Sequence, residues 1–268
     1  MLANEAQTLT GQVVAITGAS SGIGQAVAYE AARQGATLVL MARSTDKLTA
    51  LSQDVTLLSG APAYVVPVDV GSREAIDTAV ATIQEKVDRV DILLNAAGFG
   101  DFETVLDTDW ETVRRLFSVD VLGTMYFSRR IASMMIDAHY GHILNVGSMA
   151  GKLPTPKSAY YSAAKAAVIQ FSNVLRLELK PFGINVTSIN PGPVATNFFN
   201  IADKTGHYLD NVAAFTIDPG DLAKTIVHAF GRPVREINAP TIMAIASKLY
   251  PLAPTIGDRI VMLFGNQK

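Results

Sequence analysis

The chain has 268 residues, 49% of them apolar, a formal net charge of −2 and no cysteine. That is enough material for one large α/β domain or two small ones. The near-neutral charge, with no long basic run, argues against nucleic acid as a partner, and the missing cysteines exclude disulfides and thiol chemistry.

In chain order, short β-branched runs alternate with longer alanine-rich amphipathic runs. The opening MLANEAQTLT has no basic region followed by an apolar core, so no secretory signal is expected and the cytoplasm is the expected location. Strands are predicted at 13–17, 37–42, 63–68, 91–95, 142–147 and 184–190, with a weaker one near 234–238. Helices are predicted at about 22–34, 45–58, 72–88, 109–138, 159–180 and 219–230. This alternation implies an α/β fold, a doubly wound parallel sheet of Rossmann type covered by helices on both faces. No composition shift or internal repeat marks a boundary, so residues 1–268 are read as a single domain. No run of about 18 apolar residues predicts a membrane span. His139, His142, His207 and His228 show no metal-ligand spacing, so no metal is expected. The sequon at Asn185-Val186-Thr187 carries no meaning without secretion.

The first predicted strand runs directly into TGASSGIG, with Gly18, Gly22 and Gly24 spaced GxxxGxG. Glycine lets a backbone turn tightly against a pyrophosphate, and the following helix offers its N-terminal N–H groups to the anion. An ordinary strand-to-helix turn is the competing reading. The second strand ends in Ala42-Arg43-Ser44, with no carboxylate to meet an unphosphorylated ribose. A guanidinium fits a 2′-phosphate, with Ser44 as a second donor, so NADP(H) is the expected cofactor.

Four more motifs follow predicted strands or lie beside them: Asn95-Ala96-Ala97-Gly98, Gly147-Ser148-Met149-Ala150-Gly151, Tyr160-Tyr161-Ser162-Ala163-Ala164-Lys165, and Pro191-Gly192-Pro193-Val194-Ala195-Thr196. In this order, over roughly residues 10–200, the set resembles the short-chain dehydrogenase/reductase family in its compact single-domain branch. The resemblance implies a cofactor site along Gly18, Ser20, Ser21, Gly22, Ile23 and Gly24, then Asp69 and Val70 near the adenine. It continues along Asn95, Ala96, Ala97 and Gly98, and ends at Pro191, Gly192, Val194 and Thr196 against the nicotinamide. For Asp69 a strand-end cap is an equal alternative.

Helical geometry separates the two tyrosines. Positions i and i+4 share a face, so Tyr161 pairs with Lys165, whereas Tyr160 pairs with Ala164 and serves as a packing or pocket-wall residue. A free phenol titrates near 10, and a neighbouring ammonium lowers that value. The resemblance implies the same assignment. Tyr161 exchanges the proton on the substrate oxygen, Lys165 tunes it and holds the nicotinamide ribose, and Ser148 polarises the carbonyl. One position departs from the family's pattern. Its usual asparagine, which helps seat a water for proton relay, is here Asp120. A buried carboxylate near Lys165 pairs with it or takes a proton. The family role implied by the resemblance runs partly through the main-chain carbonyl, which survives the change, so Asp120 stands with Ser148, Tyr161 and Lys165 as a catalytic candidate.

After Thr196 the resemblance implies a substrate flap over about 197–216. Phe198, Phe199, Tyr208 and Phe215, with Phe99, Phe102, Met149 and Leu153, predict an apolar pocket for a bulky carbonyl compound: an apolar ketone, a steroid-like molecule or a 3-oxoacyl thioester. The C-terminal extension, 239–268, holds two apolar helical stretches broken by Pro251 and Pro254, suited to a partner subunit, to the pocket or, least well, to a membrane surface. Homodimers or homotetramers are expected through the helices at 109–138 and 159–180, by way of Leu116, Val119, Met125, Phe127, Val168, Phe171, Leu175 and Leu179. Three rivals stand beside an NADP(H)-dependent oxidoreductase. They are a catalytically silent NADP(H)-binding regulator, a sugar-nucleotide epimerase or dehydratase, and a hydrolase using Ser148, for which no histidine stands in motif.

Overall fold

Successive residues of a strand point to opposite faces. In β1 (Val13–Thr17), Val14 and Ile16 enter one apolar core and Ala15 the other. The same split recurs in β2 (Thr37–Ala42), where Leu38 and Leu40 oppose Val39 and Met41, and in β4 (Ile92–Asn95), where Ile92 and Leu94 oppose Leu93. Strands apolar on both faces belong in the middle of a covered parallel sheet.

The structure, a computed structural model, describes residues 8–202 and 215–264. With β3 (Ala63–Pro67), β5 (Gly141–Val146), β6 (Ile184–Pro191) and β7 (Glu236–Ala239), the strands form one parallel seven-stranded sheet in the order β3-β2-β1-β4-β5-β6-β7. One face is covered by α1 (Gly22–Arg33) and α2 (Thr45–Ser59), joined there by α8 (Pro219–His228). The other carries α3 (Arg73–Lys86), α5 (Thr124–Ala138) and α6 (Ala159–Leu179). This is the expected doubly wound Rossmann-type fold. Its strand order reverses between β1 and β4, where Thr17 is in register with Asn95. A crevice at such a switch point, outside the carboxyl ends of the strands, is where these sheets take ligands.

Two expectations need correction. The single helix predicted at 109–138 is interrupted: α4 (Trp110–Leu116) passes into a π-helical segment, Phe117–Gly123, before α5. Tertiary contacts dictate the break. A Cβ on Gly123 would lie 2.3 Å from the Val70 carbonyl oxygen, and the Ser118 hydroxyl donates to the Gly71 carbonyl at 2.9 Å. A period-3.6 pattern carries no mark of one extra residue per turn. Secondly, Leu116, Phe127, Val168, Leu175 and Leu179, read as surplus apolar surface, lie buried in the chain's own cores. The same helices expose Leu122, Val174 and Leu177 instead.

Within β5, His142 is fully buried. Its Nε2 lies 2.8 Å from the Thr187 hydroxyl and its Nδ1 accepts the Gly231 N–H at 3.1 Å, while burial lowers its pKa to about 3. The extension after β7 folds as α9 (Thr241–Leu249) and α10 (Pro254–Phe264), with Ile242, Ile245, Leu249, Leu252, Ile256 and Ile260 exposed. No described helix is long and apolar enough to cross a membrane.

Candidate active site

The glycine turn is held by main-chain geometry. Gly18 has φ +69°, and a Cβ there would lie 2.7 Å from the Ala96 carbonyl oxygen and the Ala97 nitrogen. Only glycine fits that conformation and that approach together. The Thr17 hydroxyl fastens the same junction, accepting the Ala96 and Ala97 N–H groups at 3.1 and 3.2 Å. At the start of α1, Ser21 makes no side-chain cap and the first turn holds no acid, so the leading amides of Gly22, Ile23 and Gly24 have no side-chain acceptor or counter-charge of the helix's own. That is the chemistry an anionic phosphate needs. A Cβ on Gly22 would meet Thr196 at 3.6 Å, so the loop from Pro191 to Thr196 closes on the turn, which also carries Ser20.

Arg43 and Ser44 are exposed just past β2, and among the described residues nothing pairs with the guanidinium. Asp69 adopts the cap reading: its Oδ1 accepts the Gly71 N–H at 2.9 Å. It also lines a cleft of about 480 Å³ beside Ser118 and Val119, with Val70 buried next to it. Asn95 is turned away from the crevice. Its amide donates to Ser128 and to Asn145, each at 2.9 Å, and Asn145 donates in turn to Ser172 at 3.0 Å. The side chain therefore braces β4 against β5, α5 and α6, leaving the backbone of Ala96, Ala97 and Gly98 along the crevice. Val194 is likewise buried in the core, while Gly192 lies under Met243 of α9, where a Cβ would be 2.7 Å from its sulfur.

On the other side of the crevice lie Ser148, Tyr161 and Lys165, the last two on one face of α6. Ser148 follows β5, accepts the Ala150 N–H at 3.1 Å and reaches the Pro191 carbonyl only at 3.4 Å, so its hydroxyl proton is weakly held. The Ser148 hydroxyl acts on the Tyr161 phenol, favouring its ionised form, and Lys165 Nζ is 5.6 Å from the Tyr161 ring centroid. Lys165 Nζ also donates to the Val146 carbonyl at 3.1 Å and pairs with Asp120 Oδ2 at 2.9 Å. Asp120 sits in the middle of the π-helical segment, and its Oδ1 accepts the Phe99 N–H at 3.1 Å. Gly98 makes room for it, since a Cβ there would lie 2.8 Å from Asp120 Oδ2. Val146 and Phe99 make these contacts through a main-chain carbonyl and N–H, which nearly every residue type supplies, so no sequence signal pointed to the two contacts.

Burial dominates the electrostatics. It raises the Tyr161 phenol, against the Lys165 ammonium, which lowers it, while Asp120 raises it further. Burial also raises the Asp120 carboxyl, with Lys165 pulling it down. Burial disfavours the Lys165 ammonium, yet Asp120 and Tyr161 together hold it above the ordinary lysine range.

Aromatic rings roof the site. Phe102 meets Tyr161 edge-on at 5.7 Å, Phe198 of α7 (Phe198–Ala202) lies 5.7 Å away, and Phe99 and Phe199 join the same cluster. Met149 is buried apart from it and Phe215 is exposed; Tyr208 lies outside the described residues. Tyr160 is half-buried, although its helical partner Ala164 is fully buried. Its hydroxyl reaches the Val105 carbonyl at 3.4 Å and its ring meets Trp110 edge-on at 6.3 Å.

The family model described as short chain dehydrogenase matches residues 12–205. An uncharacterized oxidoreductase of Staphylococcus saprophyticus is 32% identical over 88% of this chain and 99% of its own length. Dehydrogenase/reductase SDR family member 7B of Xenopus tropicalis is 34% identical over 91% of this chain and 82% of its own. Among solved structures, a short-chain dehydrogenase from Sphingobium yanoikuyae in complex with NADPH aligns with a TM-score of 0.78 at 27% identity, over 94% of this chain and 95% of that one. L-sorbose reductase from Gluconobacter frateurii, complexed with NADPH and L-sorbose, aligns at 0.79 and 27% identity, over 87% and 96%.

Proposed function

The chain belongs to the short-chain dehydrogenase/reductase family of oxidoreductases, and we propose that it interconverts a carbonyl and a secondary alcohol with NADP(H). The observation that carries the reading is the meeting of Ser148, Tyr161 and Lys165 across a crevice from a glycine turn with uncapped helix amides. NADP(H) would lie along that turn, with Arg43 and Ser44 beside the 2′-phosphate; when bound, it supplies or takes the hydride. The preference over NAD(H) is supported by the absence of an acid at the end of β2, where Arg43 and Ser44 follow Ala42, and by the NADPH held by the two structural neighbours.

The chain's own residues handle the oxygen and its proton. The Ser148 hydroxyl, weakly engaged with Pro191, turns to donate to the substrate oxygen. Tyr161 gives that oxygen its proton in reduction and takes it back in oxidation. Lys165 is the charged group that favours phenolate, against burial and Asp120, and would hold the ribose of the bound cofactor. Phe99, Phe102, Phe198 and Phe199 exclude water and favour a bulky apolar substrate, such as a ketone, a steroid-like molecule or a 3-oxoacyl thioester. Exposed Leu122, Val174 and Leu177 support pairing with a second copy. The test is turnover of NADPH by the purified protein against ketones, aldehydes and 3-oxoacyl thioesters. Oxidation of NADPH with one class, and a lower rate with NADH, is expected. No turnover with any class, alongside tight NADPH binding, would leave the silent regulator as the better reading.

A further inference from the structure

A buried ammonium beside a phenol favours phenolate, because the two opposite charges stabilise each other. Here a third group changes that balance. Asp120 is 1% exposed and Lys165 5%, and their charged atoms stand 2.9 Å apart. Both are held from behind: the Phe99 N–H donates to Asp120 Oδ1, and the Val146 carbonyl accepts from Lys165 Nζ. The carboxylate is therefore a fixed part of the site. It is carried by a π-helical segment that Gly98, Gly123 and Ser118 lock in place. Deep burial makes each of these charges costly to leave unpaired.

We propose that Asp120 is a positioning residue that serves as the counter-charge of Lys165, and that it sets the site to donate a proton and so to reduce carbonyls near neutral pH. Burial favours the neutral Asp120 acid, but the Lys165 ammonium at 2.9 Å and the Phe99 N–H at 3.1 Å favour the carboxylate. With Asp120 ionised by that pairing and Tyr161 a phenol, the buried trio carries one negative and one positive charge. Ionising Tyr161 adds a second negative charge against the same single ammonium. With a neutral side chain at position 120, the same ionisation would create a matched pair instead. The charged and titratable groups facing Tyr161 are Lys165 from its own helix and Asp120 from the π-helical segment. Ser148 from the β5 loop is neutral, and the rings of Phe102 and Phe198 carry no charge. Burial and Asp120 raise the phenol, and only Lys165 and the Ser148 hydroxyl act in the other direction. A raised phenol remains a proton donor at the pH where a lowered one would already be a base. In the reduction, the carbonyl oxygen would take the Tyr161 proton as the carbon gained the hydride that a bound reduced dinucleotide would supply. Solvent then reprotonates the phenolate.

The inference rests on the proposed function for its direction of catalysis, but its electrostatic core is tested without turnover. Tyrosinate absorbance is titrated in the wild type and in Tyr161→Phe, and the difference isolates Tyr161 from the other tyrosines. The same pair is compared in the Asp120→Asn background. The Tyr161 midpoint is expected to fall by about one pH unit or more on loss of the carboxylate. In an active enzyme, the alkaline limb of kcat/KM for reduction moves down with it, and the ratio of oxidation to reduction rates at neutral pH rises. Asp120→Ser repeats the measurement should the asparagine variant fail to fold. A midpoint that stays or rises overturns the inference even if the wild type is an active reductase. A midpoint that falls in a protein with no turnover keeps the counter-charge and sinks the proposed function.

Discussion

The two sides of the crevice are built from different parts of the chain. On the β1 side the groups that face it belong to the main chain: the left-handed Gly18, the uncapped amides opening α1, and a loop pinned by Thr17. On the β5 side they are side chains, with Ser148, Tyr161, Lys165 and Asp120 all buried. A site of backbone amides fails when a carbon is added where none fits. A site of side chains fails when one oxygen is removed, with the fold intact. The difference separates binding from chemistry along the molecule, and substitutions on each side should separate them in measurement.

The largest effect is expected on the side-chain half. Tyr161→Phe keeps the ring against Phe102 and Phe198 and removes only the hydroxyl. Turnover should fall by about 10²–10⁴-fold, the usual size of a general acid–base contribution. Affinity for NADPH should hold, read by fluorescence titration on the same preparation. Equal loss of binding would mean that the two sides are not separable.

Gly18→Ala probes the main-chain half. A Cβ there meets the Ala96 carbonyl at 2.7 Å in a conformation with φ +69°. Strain and displacement together should destabilise the fold by about 2–3 kcal/mol, seen as a lower thermal midpoint, and NADPH should bind more weakly. A variant of wild-type stability and affinity would show that this junction is not what shapes the turn.

Arg43 is a side chain on the main-chain half, and it sharpens the comparison. Arg43→Ala should lose about ten- to a hundredfold in NADPH affinity, the worth of a charge-assisted hydrogen bond of roughly 1.5–3 kcal/mol, and nothing in NADH affinity. Titrating both dinucleotides against both proteins decides whether the guanidinium reads the 2′-phosphate. The smallest effect belongs to Tyr160→Phe. Its hydroxyl makes one long bond at the rim, to Val105. Stability should stay within about 0.5 kcal/mol, and turnover should match the wild type. If this variant is the inactive one, the site has been built around the wrong phenol.

Much of this arrangement is readable along the chain, because strand and helix periods are local. The alternation of β-branched and alanine-rich runs locates the strands and most helices to within a few residues. The i, i+4 spacing separates Tyr161 from Tyr160. The 109–138 stretch reads as a single helix because a π-helical segment leaves the apolar pattern nearly unchanged. The residues suggested for a partner surface, such as Leu116 and Leu175, are buried instead, since an apolar face looks the same in sequence whether its cover comes from its own sheet or from another subunit. Asn95 sits in a motif expected to run along a cofactor, yet it spends its side chain on Ser128 and Asn145, residues of distant segments.

By itself, then, the sequence determined the sheet, the glycine turn and the helical face that carries Tyr161 and Lys165, all of which depend on neighbours within a turn or a strand. Only the tertiary structure decided what surrounds that face. Asp120 reaches Lys165 because a π-helical segment, a glycine at position 98 and the Phe99 amide converge from separate segments. The charge balance of the site depends on distances of a few ångströms in a buried, weakly polarisable interior, and such distances are set by packing between segments that local sequence patterns do not relate.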